Sequence, residues 1–154
     1  MPFDTTEELH AVCASTPREF ESAQDMLNRV AWHLFTQRAR SMLTLDVGDT
    51  PFCAYRGAEG RMCAIGIGIP DGVYDRGMEG LSLTALLEMC EGFEFTRVLN
   101  EHTDLAGELQ LAHDRMLDGY RLDLLHERLE HIAAGYALDD TQVQAAYKHA
   151  RGVA

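Results

Sequence analysis

The sequence predicts an α+β fold in which about five helices pack around one small antiparallel β-hairpin. Three observations lead there. Apolar residues recur at helical spacing on both sides of the chain's centre, and a glycine-rich stretch of strand formers, Pro51 to Gly80, separates the two sides. No repeat or linker divides the 154 residues. A single compact domain over residues 1–154 follows, since a chain of this length buries roughly 70% of its unfolded surface without metal or disulfide staples.

In chain order, Thr5 to Ala14 reads as a short helix, with Leu9, Val12 and Cys13 at helical spacing. Thr16-Pro17-Arg18-Glu19 then offers a capping residue, a proline at the first helical position and a glutamate placed to return the capping bond. Phe20, Ala23, Leu27, Val30, Ala31 and Leu34 follow at i, i+3, i+4, i+7, which predicts a long amphipathic helix from Pro17 to about Met42. Met26, Trp32 and Phe35 widen its apolar face. Leu43 to Thr50 is a loop by composition.

The hairpin comes next, two apolar runs joined by Gly57-Ala58-Glu59-Gly60. With Arg56 opposite Arg61 or nearly so, Cys53 falls opposite or diagonal to Cys63 and shares a face with Tyr55. A one-residue slip would send Cys63, Ile65, Ile67 and Ile69 to the other face, so the register stays open. Gly66 and Gly68 are expected to let a helix approach the strand closely. Ile69-Pro70-Asp71-Gly72 and Asp75 to Gly80 are turns.

Beyond it, Ser82 caps a helix over Leu83 to Cys90. Phe95 to Leu99 is either a short strand or a helix end. Asp104 caps a helix from Leu105 to about Leu117 with Leu105, Leu109, Ala112 and Met116 inward. Tyr120 to Tyr136 carries the stripe Leu122, Leu125, Leu129, Ile132, Ala133, and Asp139-Asp140-Thr141 starts a helix over Gln142 to Arg151.

Charge narrows the function classes. Against 25 acidic residues stand 13 basic ones, all arginine except Lys148, for a formal net charge of −12. Such a chain repels phosphate backbones, which argues against direct nucleic-acid binding, and attracts basic surfaces. Acidity is first a solubility device; mimicry of nucleic acid against a basic groove is the second reading. No apolar run approaches the roughly 20 residues of a membrane span, and no secretory leader is evident at Met1 to Glu8, so a cytoplasmic protein is expected. Cysteines at 13, 53, 63 and 90 form no CxxC pair and are expected to be reduced thiols. Ile65-Gly66-Ile67-Gly68-Ile69 lacks the third glycine and the lysine of a phosphate loop, and no cofactor or metal is expected.

The segments His33-Leu34-Phe35-Thr36-Gln37, Cys53-Ala54-Tyr55-Arg56-Gly57, Gly60 with Met62-Cys63-Ala64-Ile65-Gly66, Ile69-Pro70-Asp71, Tyr74, Met78-Glu79-Gly80, Leu109-Gln110 and His113-Asp114 together resemble a group of small bacteriophage and prophage proteins of unknown function. The resemblance covers about residues 17–138, with Phe35 and Gly68 departing from the group's usual residues. It implies a phage or prophage origin and a site in the bacterial host's cytoplasm, and implies no activity.

The suggestive polar residues are Arg56, Asp71, Tyr74 and Glu79 on or after the hairpin, and His33, His113 and Asp114 on helices that could pack beside it. One reading makes them structural: Arg56 clamps Asp71 or Glu79, His33 caps a carbonyl, and Asp114 is solvated. Another is a small enzyme with His113 as base, Asp114 as its orienter, Arg56 holding an anion and Cys63 as a nucleophile. Cys53 and Cys63 with two histidines make only a weak zinc pattern, their spacing being wrong for a knuckle. The leading reading is an accessory factor that binds, and inhibits, a host or phage protein with a basic surface, His33, Gln37, Tyr55, Asp71, Tyr74 and Glu79 being the candidate binding residues. A virion or structural component is the third. Oligomeric state stays open.

Overall fold

The computed structural model describes residues 17–44, 46, 48–117 and 120–152. The helix expected over Thr5 to Ala14 and the cap expected at Thr16 lie outside the described residues. The fold is α+β: six α-helices among the described residues surround a two-stranded antiparallel ribbon. They are α1 (Ala23–Gln37), β1 (Met42–Leu43), β2 (Phe52–Cys53), α2 (Leu83–Met89), α3 (Thr96–Glu101), α4 (Thr103–Asp114), α5 (Leu122–Gly135) and α6 (Thr141–Gly152).

Helix α1 is the centre of the core, packing against α6, α4 and α5. Met26, Leu27, Val30, Ala31, Trp32, Leu34 and Phe35 are all buried, so it is covered on more than one face, as the apolar residues off its main stripe predict. It is shorter than its periodicity suggests. Ser22 is the N-cap: its side chain accepts from the Asp25 N–H at 3.0 Å, while Asp25 accepts from the Glu21 N–H at 2.9 Å. Residues 17–21 are not helical, and Arg29 binds two of their carbonyls, donating to Arg18 and Glu19, each at 3.1 Å, and to Ile67 at 2.9 Å. Arg38, at φ 57°, ends α1 in a left-handed turn.

The ribbon also differs in detail from the expected hairpin. Its paired residues are Met42 with Cys53 and Leu43 with Phe52, so the segment around Leu43 that composition marks as a loop supplies one strand. The turn Gly57–Gly60 is closed by a single bridge, Arg56 with Met62, one residue off the expected register. Ile65 to Ile69 is not a strand: Gly66–Gly68 forms a 3-10 turn, and all five residues are buried, so no face alternates. The two glycines mark close approach, but not of a helix to a strand, since Tyr55 and Phe20 both lie outside the helices. A Cβ on Gly66 would overlap the Tyr55 carbonyl oxygen, and one on Gly68 would enter the Phe20 ring.

Ser82 caps α2 as expected, accepting from the Ala85 N–H at 3.2 Å. Residues 95–99 resolve as the start of α3, and α4 follows it so closely that His102 takes the cap position and Asp104 falls in the first turn. Leu105, Leu109, Ala112 and Met116 face inward as their spacing predicts, and Leu125, Leu129, Ile132 and Ala133 do so on α5. Helix α6 docks small residues, Val143, Ala146 and Ala150, onto α1, fixed by a 3.0 Å bond from Trp32 Nε1 to Gln142. Among the described residues no helix is long and apolar enough to cross a membrane.

Candidate functional site

Between Arg38 and Leu81 the chain has little regular secondary structure, and buried backbone there needs partners that no ladder supplies. The polar residues singled out by the sequence supply them. Gln37 Oε1 accepts from the Met62 N–H at 2.9 Å, and its Nε2 lies within bonding distance of the Met62 carbonyl at 2.9 Å and the Ala39 carbonyl at 2.8 Å. One turn earlier on α1, His33 Nε2 donates to the same Met62 carbonyl at 2.6 Å. Burial lowers the His33 pKa to about 4, so the ring is neutral near pH 7 and its one N–H serves the carbonyl.

Glu79 does the same for the preceding turn. Its buried carboxylate accepts from the Tyr55 N–H at 2.8 Å, the Arg56 N–H at 2.9 Å and the Tyr74 hydroxyl at 2.6 Å. The Arg56 guanidinium donates to the Ile69 carbonyl, pairs with Asp71, both at 2.8 Å, and lies 4.3 Å from the centre of the Tyr74 ring. The Tyr55 hydroxyl reaches on to the Leu81 carbonyl at 2.7 Å. Burial, then the neighbouring Glu79 carboxylate, pushes the Tyr74 hydroxyl up to about 12, and Tyr55 is raised chiefly by burial.

His113 and Asp114 form the arrangement that suggests catalysis, since Asp114 Oδ1 sits 2.9 Å from His113 Nδ1. A catalytic histidine oriented in this way needs its Nε2 lone pair free for a nucleophile. Here Nε2 accepts the Ser41 backbone N–H at 2.7 Å, and the ring is fully buried. That amide can only donate, so Nδ1 carries the proton and Asp114 accepts it. Burial pushes the Asp114 carboxyl upward, but the bonds from His113, Cys53 and Gln110 outweigh it and hold the pKa below the usual value. Gln110 joins the network from the same helix face, accepting from the Ile65 N–H at 3.2 Å and donating to Asp114 at 3.0 Å.

The four catalytic candidates do not assemble. Cys63 is buried, its sulfur accepts from the Gly66 N–H at 3.3 Å, and burial pushes the thiol up to about 12, far from a reactive thiolate. Arg56 serves the Ile69 carbonyl and Asp71, and has no hydrogen bond with His113 or Asp114. The thiol that does lie near His113 is Cys53: Cys53, His113 and Asp114 each place a potential metal-ligand atom within 4.8 Å of the others. Burial, then Asp114, raises the Cys53 thiol to about 11. A metal on His113 Nδ1 would have to replace the proton that Ser41 fixes there, so the trio fits a hydrogen-bonded group better than a ligand set.

Sequence reading missed three contributors: Arg29, Ser41 and Gln110 as a backbone partner; away from the site it also missed Gln24, which pairs with both backbone groups of Asp139 at 2.7 and 2.9 Å. Arg29 carried a signal, a lone charge inside the apolar run Met26 to Phe35. The other three carried none.

No family model, curated protein or solved structure matches the chain.

Proposed function

We propose that the chain is a small acidic binding protein that occupies a basic surface of a host or phage protein, in keeping with the phage origin its resemblance implies. One observation carries this reading. The polar residues that would form an active site are committed to bonds within the chain, His113, Arg56 and Cys63 to backbone groups and Asp114 to neighbouring side chains, so the chemistry available to a partner lies on the surface. Along α2 to α4, Glu88, Glu91, Glu94, Glu101, Asp104 and Glu108 are exposed, and the only exposed cation in that span, Arg97, sits 3.9 Å from Glu101. Met89 and Phe93 are about half exposed among these carboxylates, and Phe93 opens onto a shallow cleft with Pro70 and Val73. Apolar anchors ringed by one sign of charge suit a protein surface of the opposite sign.

The test is capture of a partner from host lysate by the full chain and by a Glu88→Lys, Glu91→Lys, Glu94→Lys variant. The reading expects a specific partner with a basic surface, held at low salt, weakened as salt rises, and lost with the triple variant. A partner held equally by both proteins, or no partner at any salt, would count against it.

A further inference from the structure

The geometry points to a second binding site, for a small amphiphilic anion, in the cleft between the end of α4 and the first half of α5. The cleft has a volume of about 670 Å³, within the range of small-molecule sites. Its base is apolar, with Ala112, Met116 and Leu125 buried there, and Leu117 and Leu124 on its walls are more than half exposed. An apolar body would cover leucines that the fold leaves in water.

Its charge runs against the rest of the molecule. In a chain of net −12, this cleft is lined by Arg115, Arg121 and Arg128 against one carboxylate, Glu127. Arg121 is held by Asp123. Arg115 and Arg128 show no side-chain hydrogen bond or ion pair among the described residues, while most of the chain's other arginines are engaged. Tyr120 lines the same cleft, and its buried hydroxyl also has no hydrogen-bond partner among the described residues. Helix α5 begins here with Asp123 in its first turn, whose carboxylate already covers the first N–H groups, so the positive charge of the cleft comes from the arginines and not from the helix end. Two uncommitted guanidiniums lining a cleft with an apolar base match a single carboxylate or phosphate on an aliphatic or aromatic body.

The test titrates the full chain with octyl phosphate, octanoate and octan-1-ol, followed by backbone amide NMR. Both anions are expected to shift amides of residues 112–131, with octan-1-ol at least tenfold weaker. Tighter binding of octyl phosphate assigns a phosphoryl head group, and tighter binding of octanoate a carboxylate. An Arg115→Gln, Arg128→Gln variant, its fold checked by the same spectrum, should lose at least tenfold in anion affinity and keep its weak response to the alcohol. Absence of shifts at millimolar anion, alcohol binding equal to the anions, or unchanged affinity in the variant would each overturn the proposal. The acidic surface along α2 to α4 is untouched by these substitutions, so partner capture reports on it separately.

Discussion

The helical body and the irregular span from Arg38 to Leu81 satisfy the same physical demand in different ways. In α1, α4, α5 and α6 the backbone bonds to itself, and apolar stripes such as Leu125, Leu129, Ile132 do the packing. In the irregular span the Ser41, Tyr55, Arg56, Met62 and Ile65 amides donate to His113, Glu79, Gln37 and Gln110. All four of those residues lie at least 23 positions away from the amides they serve. The difference teaches that a dense set of polar motif residues can be the scaffold of a fold that has almost no sheet.

If that is right, side-chain deletions should hurt most where one group serves several amides. Glu79→Ala strips acceptors from Tyr55, Arg56 and the Tyr74 hydroxyl, and should cost about 3–5 kcal/mol in urea unfolding. Glu79→Gln, which keeps one carbonyl oxygen, should cost less.

Acid should act on the irregular span through His33. Its pKa is about 4 in the fold against 6.5 for the free side chain, so between those values the unfolded chain binds the extra proton. The contribution is full above pH 6.5 and is lost as pH falls toward 4, up to about 3 kcal/mol. Urea unfolding of the wild type and of His33→Gln over that range should show this part of the pH dependence vanish in the variant.

Glycine offers the sharpest contrast, because the same substitution should have opposite signs in the two regions. Gly66→Ala meets the Tyr55 carbonyl and should destabilise by about 1–3 kcal/mol. Gly107→Ala, on the exposed face of α4 with nothing within 4 Å of its Cβ, should stabilise by up to about 1 kcal/mol. Gln37→Met keeps the volume but orphans the Met62 N–H, and should cost about 1–3 kcal/mol in the same assay.

The helical body was legible because its information is local. Ser82 caps the residues that follow it, and Leu105, Leu109, Ala112 and Met116 declare their face by spacing alone. Arg56 with Asp71 was legible as a clamp, and His33 as a carbonyl cap, because those chemistries are common. What could not be read was which amide each side chain serves. Nothing near Ser41 announces that its N–H occupies His113, and without that bond the His113-Asp114 pair reads as a catalytic dyad. The start of α1 failed for the same reason, since Arg29 binds the carbonyls of residues 18 and 19, ahead of the helix.

Native-state amide hydrogen exchange tests the central claim most directly. With the irregular backbone anchored by remote side chains, the Ser41, Tyr55, Arg56, Met62 and Ile65 amides should exchange as slowly as the buried middle of α1, through global unfolding. Exchange of those five amides at the rate of an open loop, while α1 stays protected, would contradict it.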